Sequence, residues 1–147
     1  VVEMKNQKIY LAKKLIKSID KDIRVIVERK KYSRGLACLP TEKTVFLGFR
    51  ATDLENKAFV DLVNELQPNF FQDYPISLWL MGVLHEVGHI KTHQDALEND
   101  YNNSVQMLEQ LVELGVITEK QQNEFYVRLD LEQMATQWAI DYIKGIA

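Results

Sequence analysis

Apolar residues along this chain recur at two periods, and the places where the period changes divide it into elements. In NQKIYLAKKLIKSID (6–20), Ile9, Leu11, Ala12, Leu15, Ile16 and Ile19 fall near helical spacing with lysines opposite, which predicts an amphipathic helix. DIRVIVERK (22–30) is rich in β-branched residues and bounded by charge, so it predicts a strand. RGLACL (34–39) and TVFLGFR (44–50) predict two more, and the short Pro-Thr-Glu-Lys connector between them suits a hairpin. The helical period returns in NKAFVDLVNEL (56–66), where Phe59, Leu62, Val63 and Leu66 share a face and Pro68 stops the element.

Pro75 is expected to open a central helix, ISLWLMGVLHEVGHIKTH (76–93). QDALENDYNN (94–103) is polar and reads as a loop, and SVQMLEQLVELG (104–115) reads as a helix that Gly115 ends. Thr118 and Gln121 form a capping box for one last helix reaching about Ile143. A helix, three strands and then mainly helices predict an α+β fold with segregated layers. A chain of 147 residues suits one domain spanning 1–147.

Composition narrows the function classes. A net charge of −3 and a pI near 5.6 supply no basic surface for nucleic acid. The apolar run from Leu78 to Leu84 is too short to span a bilayer, and the first twenty residues contain no signal-peptide core. One cysteine, Cys38, cannot form an internal disulfide, which leads to the expectation of a reducing, cytoplasmic setting. Cys38 itself reads as a small apolar strand residue. Trp79 and Trp138 read as core anchors on apolar helix faces, and the lysines of the first helix as a solvated face. DALEND (95–100) lacks the regular oxygen spacing of a calcium loop.

The candidate chemistry lies in LHEVGHIKTH (84–93), which holds all three histidines. His85-Glu86-Val87-Gly88-His89 has the H-E-x-x-H spacing. Residues four apart on a helix lie about 40° apart and one turn along the axis, so His85 and His89 can share a metal ion, with zinc suited to nitrogen donors. Glu86 is rotated by about 100° from His85, where a carboxylate can act as general base on a water that the metal activates. His93 lies about 12 Å along a continuous helix from His85, too far for the same ion, and is expected at the rim of the site.

A third ligand has to come from elsewhere, and an oxygen donor is the natural choice. Taking residues 119–143 as one helix with Phe125 at zero, Glu132 falls at about 340°, inside the apolar arc that includes Ala135, Trp138 and Ala139. Asp130 and Asp141 fall opposite, near about 140° and 160°. A carboxylate on a buried stripe needs a partner, and a metal is a good one. The competing reading is a glutamate paired with Arg128, one turn away.

With these residues in place, the sequence resembles the ImmA/IrrE family of zincin-like metallopeptidases, of gluzincin type. HEVGHIKTH (85–93) is similar to that family's H-E-x-G-H-x-x-x-H, and EQMATQWA (132–139) to its E-x-x-A-x-x-F-A helix. The resemblance implies His85, His89 and Glu132 as ligands of one Zn2+ and Glu86 as catalytic base. It also implies a zincin-like fold, with a small three-stranded, mostly antiparallel sheet packed on the active-site helix. Substrate is expected along a sheet edge, for which TVFLGFR is the candidate. The implied activity is hydrolysis of a peptide or protein substrate, in particular a repressor in a bacterial or phage circuit. A zincin-like regulatory or interaction module that binds metal without catalysis is the alternative. The donor that would stabilise a transition state is left open among His93, Tyr74, Tyr101 and Tyr126.

Overall fold

The structure, a computed structural model, describes residues 2–29, 35–48 and 56–146. Lys30, Arg34, Phe49 and Arg50, the outer ends of the expected strands, lie outside the described residues. Within them the chain is mixed α+β, with seven helices and a small three-stranded mixed sheet.

Helix α1 (Val2–Ile19) starts earlier than expected, and Ile9, Ala12 and Ile16 form its buried stripe. Strands β1 (Arg24–Glu28), β2 (Leu36–Leu39) and β3 (Thr44–Gly48) follow. The β2–β3 pair is antiparallel, as a hairpin requires, and a 3-10 turn at Pro40–Glu42 connects the two strands. β1, however, pairs with β3 in parallel, giving the order β1-β3-β2. Two expectations are thereby corrected. The sheet is mixed rather than mostly antiparallel, and Thr44–Gly48, the described part of TVFLGFR, forms the central strand rather than an edge. The reason lies in β3 itself, whose residues are buried without exception, so both of its faces and both of its edges find partners in the middle of the sheet. Among the described residues, β2 is left as an edge strand.

Helices α2 (Lys57–Leu66) and α3 (Phe70–Asp73) precede the central helix α4 (Leu78–Thr92). Asn56 caps α2 by accepting from the Phe59 N–H, and Ser77, rather than Pro75, caps α4 by accepting from the Leu80 N–H. α4 is apolar on nearly all sides because it lies between two cores. Trp79, Val83 and Val87 pack with α1 and the sheet, while Met81 and Leu84 pack with Phe59, Phe70 and Ile140 from α2, α3 and α7. Trp79 is buried as expected, and Trp138 is half-buried and stacked on Tyr142.

The segment expected as a loop at 94–103 is helical: α5 runs Asp95–Glu113. Its acidic first turn, Asp95 and Glu98, faces the positive end of the helix dipole. The expected single last helix is two helices, α6 (Glu119–Tyr126) and α7 (Asp130–Lys144). The Thr118–Gln121 capping box is present and starts α6. The break at 127–129 lets Val127 turn into a small core with Ala58 and Leu62, while Arg128 bonds back to the Glu124 carbonyl and across to Glu65.

Helices α4 and α7 form the most extensive pairing of elements in the fold. A glycine permits their closeness: a Cβ at Gly88 would stand 2.4 Å from the Ala135 carbonyl oxygen. Backbone cannot yield to that contact, so the helices would have to separate. Gly88→Ala is therefore expected to destabilise the fold by about 1–3 kcal/mol, the usual scale of overpacking. Chemical denaturation measures it; an unchanged or raised midpoint would refute the close-approach account.

Candidate metal centre

The α4–α7 crossing places three side chains together. His85 and His89, one turn apart on α4, meet with ring centroids 4.7 Å apart, and the edge contact with Phe59 restrains the His85 ring. From α7, one Glu132 carboxylate oxygen lies 3.0 Å from His85 Nε2 and the other 2.9 Å from His89 Nε2. The imidazoles are 12% exposed and the carboxylate 5%, so all three are largely removed from water. One ligand atom from each falls within 4.8 Å of the others.

Glu132 stays ionised in this setting. Burial pushes its carboxyl up, but the contacts with His85 and His89 outweigh burial and hold it well below the ordinary carboxylate range. Burial acts in the opposite sense on His89, and contact with Glu132 overrides it and raises the imidazole. Arg128, the competing partner for Glu132, is instead engaged with Glu65.

The residues around the three add what the sequence reading left out. Thr136, one turn beyond Glu132 on α7, donates its hydroxyl proton to the Glu132 carbonyl oxygen at 3.1 Å. Its oxygen is then free to accept from His85 Nδ1 at 2.9 Å. In neutral His85 that assignment places the Nε2 lone pair against the Glu132 carboxylate, where only a proton or a cation can sit between the two acceptors. A polar partner on the far nitrogen is the usual way to orient an imidazole ligand. Two imidazole nitrogens and one carboxylate oxygen form a donor set that fits Zn2+. The sequence did carry a signal for Thr136: a hydroxyl four residues after the candidate ligand, on the same buried face.

Tyr101 from α5 donates to Glu132 Oε2 at 2.6 Å, and Tyr126 at the end of α6 donates to the same oxygen at 3.1 Å. Burial, together with the negative charge of Glu132, pushes both phenols well up, so they remain protonated donors. Tyr74 stacks on Phe70, away from this group.

Glu86 lines two hollows that meet at the site. The first, about 270 Å³, runs past Leu36, Ala37 and Cys38 of β2 to His89, His93 and Tyr101. The second, about 300 Å³, runs past His85 to Phe59, Val127, Asn56 and Asn123. Cys38 faces Glu86, and burial first and then the Glu86 charge push its thiol up, so it stays neutral. His93 caps the end of α4 at the rim, 3.0 Å from Asp95 and outside the His85–His89–Glu132 group.

Comparison of the chain with models of protein families, with curated proteins and with solved structures returned no match. Among the described residues, no helix is long and apolar enough to cross a membrane.

Proposed function

We propose that this chain is a zinc metallopeptidase with a zincin-like fold, related in kind to the ImmA/IrrE family. The observation that carries the reading is the Glu132 carboxylate on α7, in contact with both imidazoles of an H-E-x-x-H helix. His85, His89 and Glu132 would hold the ion. Bound zinc supplies Lewis acidity, which polarises a scissile carbonyl and acidifies water.

The remaining chemistry belongs to the chain's own residues. Glu86, on the same helix but turned toward both hollows, accepts the proton of the attacking water and passes it to the departing amine. β2 takes the place first expected for TVFLGFR: it is an edge strand among the described residues, and its Leu36–Cys38 line the first hollow. An extended peptide adding to that edge would lie across Glu86. The substrate is a peptide or protein, and a repressor is the candidate that the family resemblance supplies.

Zinc titration and peptide cleavage test the two halves separately. The chain is expected to take up one Zn2+ and to cleave members of a library of internally quenched peptides. Failure to take up zinc would overturn the whole reading. One bound zinc with no cleavage would favour the alternative, a metal-binding regulatory module.

A further inference from the structure

Attack of water on a peptide carbonyl forms a C–O bond and moves the π electron pair onto the carbonyl oxygen. A fixed hydrogen-bond donor aimed at that oxygen is worth about 10²–10³ in rate. Of the four groups that the sequence leaves open, the structure removes two. Tyr74 is stacked in the second core, and His93, although it lines the first hollow, is engaged with Asp95 and is absent from the second. Tyr101 and Tyr126 remain, 3.0 Å apart through their hydroxyls.

We propose that the Tyr126 hydroxyl is the donor to the developing oxyanion, and that Tyr101 is a positioning residue that fixes the Glu132 carboxylate. The proposal rests on the peptidase reading. Position favours Tyr126. It lines both hollows, together with Glu86 and Glu132, whereas Tyr101 lines only the first. A substrate extending to both sides of its scissile bond would have that bond where the hollows meet. Commitment favours it too. Glu132 Oε2 already receives the short 2.6 Å bond from Tyr101 and faces His89 at 2.9 Å, and Tyr126 is its most distant partner at 3.1 Å. Tyr126 can turn its proton toward substrate while Glu132 keeps its other contacts. The ring is anchored against Ala58, Leu62 and Val127, so the hydroxyl is held in place before substrate arrives. During the reaction its proton is shared with the oxyanion and not transferred. When the tetrahedral carbon collapses, the C–N bond breaks and the amine leaves with the proton from Glu86.

A peptidyl phosphonamidate, whose tetrahedral P–O⁻ imitates the oxyanion, probes this without a known substrate. Zinc-loaded Tyr126→Phe is expected to bind it about 10²-fold more weakly than the wild type, in line with loss of one oxyanion donor. Its zinc affinity, measured by chelator competition, should fall less than that of Tyr101→Phe, whose bond to Glu132 is the shorter of the two. Tyr101→Phe should lower zinc affinity by about 10–100-fold, as loss of a ligand's supporting hydrogen bond does. Equal phosphonamidate binding by Tyr126→Phe and wild type overturns the assignment. So does a loss of zinc affinity in Tyr126→Phe equal to that in Tyr101→Phe. If the zinc-loaded wild type ignores the phosphonamidate and cleaves no peptide, the peptidase reading itself fails and takes the inference with it.

Discussion

Glu132→Gln is expected to abolish stoichiometric zinc binding at micromolar metal while leaving a folded chain. Removing a supporting hydrogen bond from a ligand already costs about 10–100-fold in metal affinity, so loss of the only oxygen among the three proposed ligands should cost more. The amide keeps the shape of the carboxylate and can still accept from Tyr101 and Tyr126. It cannot place a negative charge against both imidazoles. Metal analysis of the purified variant checks this directly; one retained equivalent of zinc would remove Glu132 from the ligand set.

The same substitution has a signature in pH. In the metal-free wild type, the Glu132 carboxyl is depressed from its ordinary value of 4.5, so its contribution is present above that value and lost as pH falls. His89 is raised from its ordinary 6.5, so its contribution is present below that value and lost as pH rises through the folded pKa. The groups facing this pair include His85 and Glu86 on α4, Tyr101 on α5, Tyr126 on α6 and Cys38 on β2, and the two phenols and the thiol keep their protons throughout. Metal-free wild type should therefore have its highest melting temperature between the two ordinary values, and zinc should add more stability as pH rises, because protons compete for its ligands. Melting curves with chelator should lose that maximum in Glu132→Gln. A variant with the wild-type pH profile would show that the Glu132–His89 contact does not form in solution.

How much of this was legible in the sequence depended on whether the signal was local. The H-E-x-x-H spacing and the Asn56 and Thr118 helix starts are properties of a few adjacent residues, and they stand where the pattern put them. Glu132 was reached by a wheel drawn through residues 119–143 as one helix, with Phe125 on the buried side. The helix breaks at 127–129, and Phe125 is 54% exposed. The placement survives because Ala135 and Ala139, on the same helix as Glu132, define its buried face without help from α6.

α5 was missed in its first half because Asp, Asn and Glu fill most of it. Its inward stripe of Leu97, Tyr101, Val105 and Leu108 is only half-buried, and no residue of the helix is fully buried. A helix held by one thin stripe leaves a weak period. That miss mattered, because the helix carries Tyr101 into the site. Strand order was out of reach for a different reason: alternation along TVFLG describes its faces and is silent on which strand lies beside it. The hairpin could be read from its short connector. The parallel pairing of β3 with β1 depends on tertiary packing.

Glu86→Gln is expected to keep one zinc per chain and to lose cleavage by about 10²–10⁴-fold, the range that a positioned general base contributes. Glu86 is absent from the group that contacts Glu132, and its walls are the two hollows, so the substitution should spare the ligands. Glutamine fills the same volume and can still hydrogen-bond to water, but it cannot take up a proton near neutral pH. The loss should therefore fall on kcat, with KM little changed, since substrate bound as proposed on β2 and in the hollows would not depend on the base. Steady-state rates on whichever quenched peptide the wild type cleaves fastest separate the possibilities. Equal rates in variant and wild type would deny Glu86 the proton transfer, and the water would need another base. Loss of zinc together with activity would mean that Glu86 holds the metal and that the division of labour along α4 is drawn wrongly. Retained zinc with a collapsed kcat is the outcome that only a base beside a correctly assembled ligand set produces.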